Sequence, residues 1–231
     1  MNKPAPSFIR QLDIHIHQPV NCLTHLVGAV FSAVGMVVLL AVSWGNPLYV
    51  VSYAVYGVSS VLLYSASSLF HGLKVGPAGR RRLLQLDHVG IYILIAGSYT
   101  PIALILLKSH SAALGWTFLG VVWLAALLGS VSKLYWLDAP RPLSTGFYLV
   151  LGWAVLFAMP ALTQVLAPGG LVLLFVGGLL YSVGAVVFML ERPNFYPGVL
   201  GHHELWHLFV LAGGSSYYLM LLLHATPVGN S

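Results

Sequence analysis

Charge is what this sequence has least of. Only 6% of its 231 residues are Asp, Glu, Lys or Arg, against roughly 25% in ordinary water-soluble domains. Set beside 58% apolar residues, that scarcity excludes a water-soluble fold and leaves no room for a separate soluble domain. Cysteine is scarcer still: the lone Cys22 cannot close an internal disulfide, so the fold takes no stability from an oxidising compartment. The first nineteen residues hold no apolar run that would serve as a signal-peptide core, which leaves targeting to the first membrane span. Repeats and low-complexity tracts are also lacking.

What is present is a succession of apolar runs, each long enough to cross a bilayer as a helix of about 20 residues. They predict an all-α membrane protein, a seven-helix bundle with spans near 21–44, 48–73, 83–107, 112–133, 145–166, 169–190 and 202–224. Residues 1–20 read as a short tail and residues 21–225 as a single transmembrane domain. The breaks carry turn residues: Gly45-Asn46-Pro47, Gly76-Pro77-Ala78-Gly79, Asp138-Ala139-Pro140-Arg141-Pro142, Pro168-Gly169-Gly170, and Glu191-Arg192-Pro193-Asn194 through Pro197-Gly198. Pro101 and Pro160 fall inside spans and predict kinks. Gly28 with Ser32 and Gly178 with Ser182, at four-residue spacing, suit close helix contacts.

The net charge of +5 does not point to nucleic acid, because the basic residues sit in the short connections. Lys3, Arg10, Lys74, Arg80, Arg81, Arg82, Lys133, Arg141 and Arg192 fall on one side of the bundle and Lys108 alone on the other. By the positive-inside rule, the N-terminus is expected in the cytosol and the C-terminus outside.

In that topology the ionisable residues at helix ends form one layer. His25 opens span 1, His71 closes span 2, Asp87 and His88 open span 3, and His203, Glu204 and His207 open span 7. Intramembrane ionisable groups are costly and mark functional sites by default. His203 and His207, four apart, share one helix face as two ligands of a single metal would. Ser67 and His71 have the same relation. Three neutral histidines with an open fourth position make a catalytic zinc arrangement, for which a carboxylate must take a proton from bound water; Asp87 is the candidate. Plainer roles stand beside these: interfacial histidines bonding backbone or headgroups, Asp87 pairing with Arg80, Arg81 or Arg82, Ser67 as a packing hydroxyl. His15, His17, His110 and His224 fit the plain reading best. Tyr92, Tyr99, Trp116, Trp123, Trp136, Tyr148 and Trp153 read as packing and interface anchors.

His203-Glu204-Leu205-Trp206-His207 also matches H-E-x-x-H, in which the Glu is a protease's general base. No Asp or Glu follows Glu204 to complete that ligand set. A third ligand must come from an earlier span, and His71 fits. Glu204 points roughly 100° away from His203 around the helix and ranks below Asp87 as a base.

Together these segments resemble the progestin and adiponectin receptor family, in particular its bacterial hemolysin III branch. The matching stretches are Asn21-Cys22-Leu23-Thr24-His25-Leu26-Val27-Gly28-Ala29, Ser67-x-x-x-His71, Leu86-Asp87-His88-Val89-Gly90-Ile91-Tyr92, Ala96-Gly97-Ser98-Tyr99-Thr100-Pro101 and His203-Glu204-Leu205-Trp206-His207. Through a shared Ser, Asp and three-His pattern the wider group is similar to alkaline ceramidases, zinc-dependent hydrolases of lipid amides. The resemblance implies His71, His203 and His207 as Zn²⁺ ligands, choosing His71 over His25 and His88, with Asp87 as partner of the bound water and Ser67 supporting it. The family pattern leaves the position of Glu204 variable. The acid that usually precedes the Asn-x-x-Thr-His stretch stands here as Gln18. The expected activity is hydrolysis of a membrane lipid amide or ester at a bacterial inner membrane. The rivals are a signalling protein with structural zinc and a pore-forming hemolysin; a pore needs a polar route across the outer half, which holds no charged residue inside a span. Nothing in the sequence sets an oligomeric state.

Overall fold

In a computed structural model of the chain, which describes residues 7–196 and 199–226, proline opens four of the long helices. Pro19, Pro47, Pro77 and Pro168 each sit in a first turn, where a missing N–H costs nothing and the fixed φ is already helical. A short helix, Ser7–Leu12, precedes them. Seven helices are long and apolar enough to cross a membrane: α1 (Pro19–Val42), α2 (Pro47–Gly72), α3 (Pro77–His110), α4 (Ala112–Tyr135), α5 (Arg141–Val165), α6 (Pro168–Leu190) and α7 (His202–Ala225). Among the described residues no strand forms beyond one isolated bridge between Tyr196 and Leu200. The chain is a seven-helix membrane bundle. Lys3, counted above for orientation, and Pro197-Gly198, read as a break, lie outside the described residues.

The centre of the bundle is α3. Its apolar stretch is 72% buried inside the protein, whereas those of α4 and α6 are 17% buried. The helix starts at Pro77, so Arg80, Arg81 and Arg82 ride on its first turns instead of lying in a loop. At Pro101 the backbone widens into a π-helical turn, Ile102–Leu107, all six residues of which are buried. Proline removes the hydrogen bond to the carbonyl of Gly97 and crowds the turn before it, and the π turn follows on its C-terminal side. Lys133 departs from its reading as a loop cation: it lies on α4, 3% exposed, with Nζ donating to Ser144 Oγ at 2.6 Å.

The break in α5 falls earlier than Pro160. Two helical pieces, Arg141–Gly152 and Val155–Val165, meet at Trp153-Ala154, and Pro160 lies inside the second. Backbone groups at membrane depth need partners, and Tyr99 of α3 supplies them: its hydroxyl accepts from the Val155 N–H at 3.1 Å and donates to the Gly152 carbonyl. Trp153 donates its indole N–H to Ser182 Oγ at 2.9 Å. Both aromatics therefore do more than anchor. Adjacent helices α1 and α2, α2 and α3, and α6 and α7 pack along their lengths, while α7 also crosses α1 and α4 lies on α3. At Gly28 the absent side chain admits α7 and α2, since a Cβ there would meet Leu211 Cδ2 at 2.6 Å and Tyr64 Cδ1 at 3.0 Å.

Candidate metal centre

The last turn of α2 and the first two turns of α7 end at the same level of the bundle, and three imidazoles meet between them. One ring nitrogen from each of His71, His203 and His207 lies within 4.8 Å of the others. The ring centroids form a triangle with 4.9 Å sides. His71 and His207 are 1% and 2% exposed, while His203 is half-buried. The Nε2 of His71 is buried with no hydrogen-bond partner, a loss of about 1–3 kcal/mol that a bound cation would relieve. Convergent neutral imidazoles on rigid helix ends are a donor set suited to a borderline divalent metal.

Around the trio, α1 makes the polar contacts. Gln18 Oε1 meets His71 Nδ1, and Thr24 Oγ1 lies 3.2 Å from His207 Nδ1. Asn21 Nδ2 donates to Glu204 Oε1 at 2.8 Å. The other carboxylate oxygen of Glu204 accepts the Gly201 N–H at 2.8 Å, closing the first turn of α7 as an acid three residues into a helix does. Both oxygens of Glu204 are thus committed, and its place in H-E-x-x-H serves the helix start. The sequence singled out Gln18 and the Asn21-x-x-Thr24-His25 stretch but gave Gln18, Asn21 and Thr24 no role, because their partners lie on other helices. His25 lies between, 3% exposed, with both ring nitrogens buried and unpartnered. The His88 Nδ1 is likewise buried without a partner.

Asp87 stands outside the compact trio. Ser67, the hydroxyl expected to support it, is 1% exposed. No ion pair joins Asp87 to the neighbouring arginines among the described residues. Arg80 instead stacks on the Phe70 ring, 3.7 Å from its centroid, and donates to the Phe70 carbonyl, while Arg81 pairs with exposed Asp138 at 3.3 Å.

Two cavities flank the site. A polar one of about 550 Å³ is lined by Asp13, His17, Gln18, Asn194, His202 and His203, among others. Partial burial, followed by the nearby Arg80 and Lys74 cations, lowers the pKa of His17 and favours its neutral form. A largely apolar cavity of about 730 Å³ runs through the bundle between Tyr64, Tyr148, Trp153, Tyr181, Trp206 and Tyr217. Tyr64 edges onto His25 at 5.1 Å, and His25 in turn stacks on His207, so two rings separate the apolar cavity from the trio.

The fold and site together define a class: a seven-helix integral membrane protein with three histidines able to hold a metal ion at one end of its bundle. Residues 14–218 match the haemolysin III-related family, and the chain belongs to that family. It is 37% identical to hemolysin-3 of Bacillus cereus over 212 residues, covering 91% of this chain and 92% of that protein. It is 38% identical to the hemolysin-3 homolog of Bacillus subtilis over 210 residues, covering 90% and 94%. A more distant similarity, 26% over 226 residues, extends to the human monocyte to macrophage differentiation factor, covering 94% of this chain and 88% of that protein.

Proposed function

We propose that this protein is a zinc-dependent hydrolase of a membrane lipid amide or ester. The observation that carries the reading is the triangle of His71, His203 and His207 with a bare, buried Nε2 on His71. Three histidines leave a fourth position open, as catalytic zinc sites do, where a structural site would be closed by a fourth protein ligand. When bound, zinc supplies a Lewis acid for the scissile carbonyl and lowers the pKa of water toward about 7. Asp87 is the base that takes the water proton and returns it to the leaving group, with the Ser67 hydroxyl orienting its carboxylate. The apolar cavity takes the acyl chain, and the polar cavity beside His203 admits water and the headgroup. In this reading the end of the bundle that carries the trio faces the cytosol of a bacterial inner membrane, an orientation that the one-sided distribution of basic residues supports.

The test uses purified protein in lipid nanodiscs, with fatty-acid release from an N-acyl lipid followed by mass spectrometry. Release by the native protein that is lost in His207→Ala and Asp87→Asn supports the reading. Equal release by the variants, or none by zinc-loaded native protein, overturns it.

One observation favours a second role for the same metal. Although α2 and α7 carry the ligands, they are not among the helix pairs that pack along their lengths. Zinc tying them together would serve a signalling membrane protein as a structural link, with no turnover.

A further inference from the structure

We propose that Gln18 and Thr24, both at the start of α1, are positioning residues that hold His71 and His207 in the Nδ1–H tautomer and so aim both Nε2 lone pairs into the trio. This rests on the metal reading above and assigns part of the site to a helix that contributes no ligand.

The proton count at Thr24 decides the first ring. Its hydroxyl has one proton, and it donates that proton to the Asn21 carbonyl at 3.0 Å. Toward His207 Nδ1, 3.2 Å away, it has only lone pairs left to offer. Both contacts are hydrogen bonds at once only when the hydrogen of the second comes from the imidazole. With Nδ1 protonated, neutral His207 carries its lone pair on Nε2.

At His71 the partner is an amide oxygen, which can only accept. The Gln18 Oε1 contact thus places the hydrogen on Nδ1 and the lone pair on Nε2, the atom left buried and unpartnered. Gln18 grips the same residue from its backbone as well: its N–H bonds the His71 carbonyl at 2.8 Å, and the His17 N–H bonds the Gly72 carbonyl at 3.1 Å. Asn21, between the two positioning residues, holds Glu204 and through it the first turn of α7. One helix end thereby orients ligands from two others. His203 has no such restraint, since no protein group bonds its ring among the described residues, and it borders the polar cavity.

A second consequence follows from the partners' charge. An amide and a hydroxyl are neutral, whereas a carboxylate on the far nitrogen makes an imidazole a more basic ligand. Gln18 leaves His71 the weaker donor, and a bound metal correspondingly more electrophilic.

The experiment measures Zn²⁺ affinity by chelator competition, and the visible spectrum of the Co²⁺ form, on the full chain in nanodiscs. Thr24→Val and Gln18→Leu are expected to bind roughly 10–100-fold more weakly than native protein. Thr24→Ser should bind like native protein, and Gln18→Glu should hold zinc at least as tightly with a shifted Co²⁺ spectrum. Native-like affinity, within about twofold, in both Thr24→Val and Gln18→Leu overturns the inference. If native protein itself binds no metal, the metal reading fails instead. Should Thr24→Val not fold, Gln18→Leu decides, because Gln18 lies at the protein surface.

Discussion

The imidazole of His25 lies flat against that of His207, ring centroids 3.6 Å apart and planes 5° from parallel. The stack packs one face of the His207 ring, and neither nitrogen of His25 bonds anything in the protein. Buried unpartnered polar atoms cost about 1–3 kcal/mol each, so His25 serves as a flat plate at the expense of its own polar groups. His25→Phe should then retain one equivalent of metal with thermal stability equal to or above native, while His25→Ala should weaken metal binding by opening space beside His207. Loss of metal from the Phe variant would show that His25 is itself a ligand. Metal analysis with a melting curve reads both.

Stoichiometry is the next check. Purified protein should carry about one zinc, absent from His71→Ala, His203→Ala and His207→Ala alike and retained in His15→Ala, His110→Ala and His224→Ala. Inductively coupled plasma mass spectrometry would expose a scattered pattern, which would return the trio to plain interfacial histidines.

Chelation should lower the melting temperature, because a ligand that binds only the folded state stabilises by RT ln(1 + [L]/Kd), about 4 kcal/mol at a thousand-fold excess over Kd. The shift should vanish in His207→Ala. An unchanged melting curve after verified metal loss would remove the link between α2 and α7 as a role for the metal.

Glu204→Gln replaces one acceptor oxygen with a donor facing either Asn21 Nδ2 or the Gly201 N–H. With Glu204 only 7% exposed, the loss should be about 1–3 kcal/mol of stability, seen as a lower unfolding midpoint in detergent. Activity lost with no change in midpoint would revive Glu204 as a base.

Tyr99→Phe strips both partners from the break in α5, leaving Gly152 and Val155 with unmet backbone groups in a place without water. A drop of about 1–3 kcal/mol is expected. At Gly115 a methyl would meet the Ala103 carbonyl oxygen at 2.7 Å and Lys108 Cα at 2.9 Å, contacts that side-chain rotation cannot relieve. Gly115→Ala should therefore destabilise by roughly 1–3 kcal/mol through overpacking, whereas Gly120→Ala, where a Cβ meets nothing within 4 Å, should not.

By itself the sequence determined the solvent, the seven crossings and the level at which the polar side chains gather. Those are local properties: a run of apolar residues, a proline at a first turn, two histidines one helical turn apart. Even His203 and His207 as a pair were legible, because the helix period sets their relation without any partner. Only the tertiary structure decided what each ring touches. The break at Trp153 and the burial of Lys133 depend on which helix lies alongside. So do the bonds from Gln18 to His71 and from Thr24 to His207, which join residues 53 and 183 positions apart in the chain. Hydropathy records that α1 is apolar enough to cross the membrane; the packing of α1 against α2 and α7 sets which of its polar groups meet the histidines.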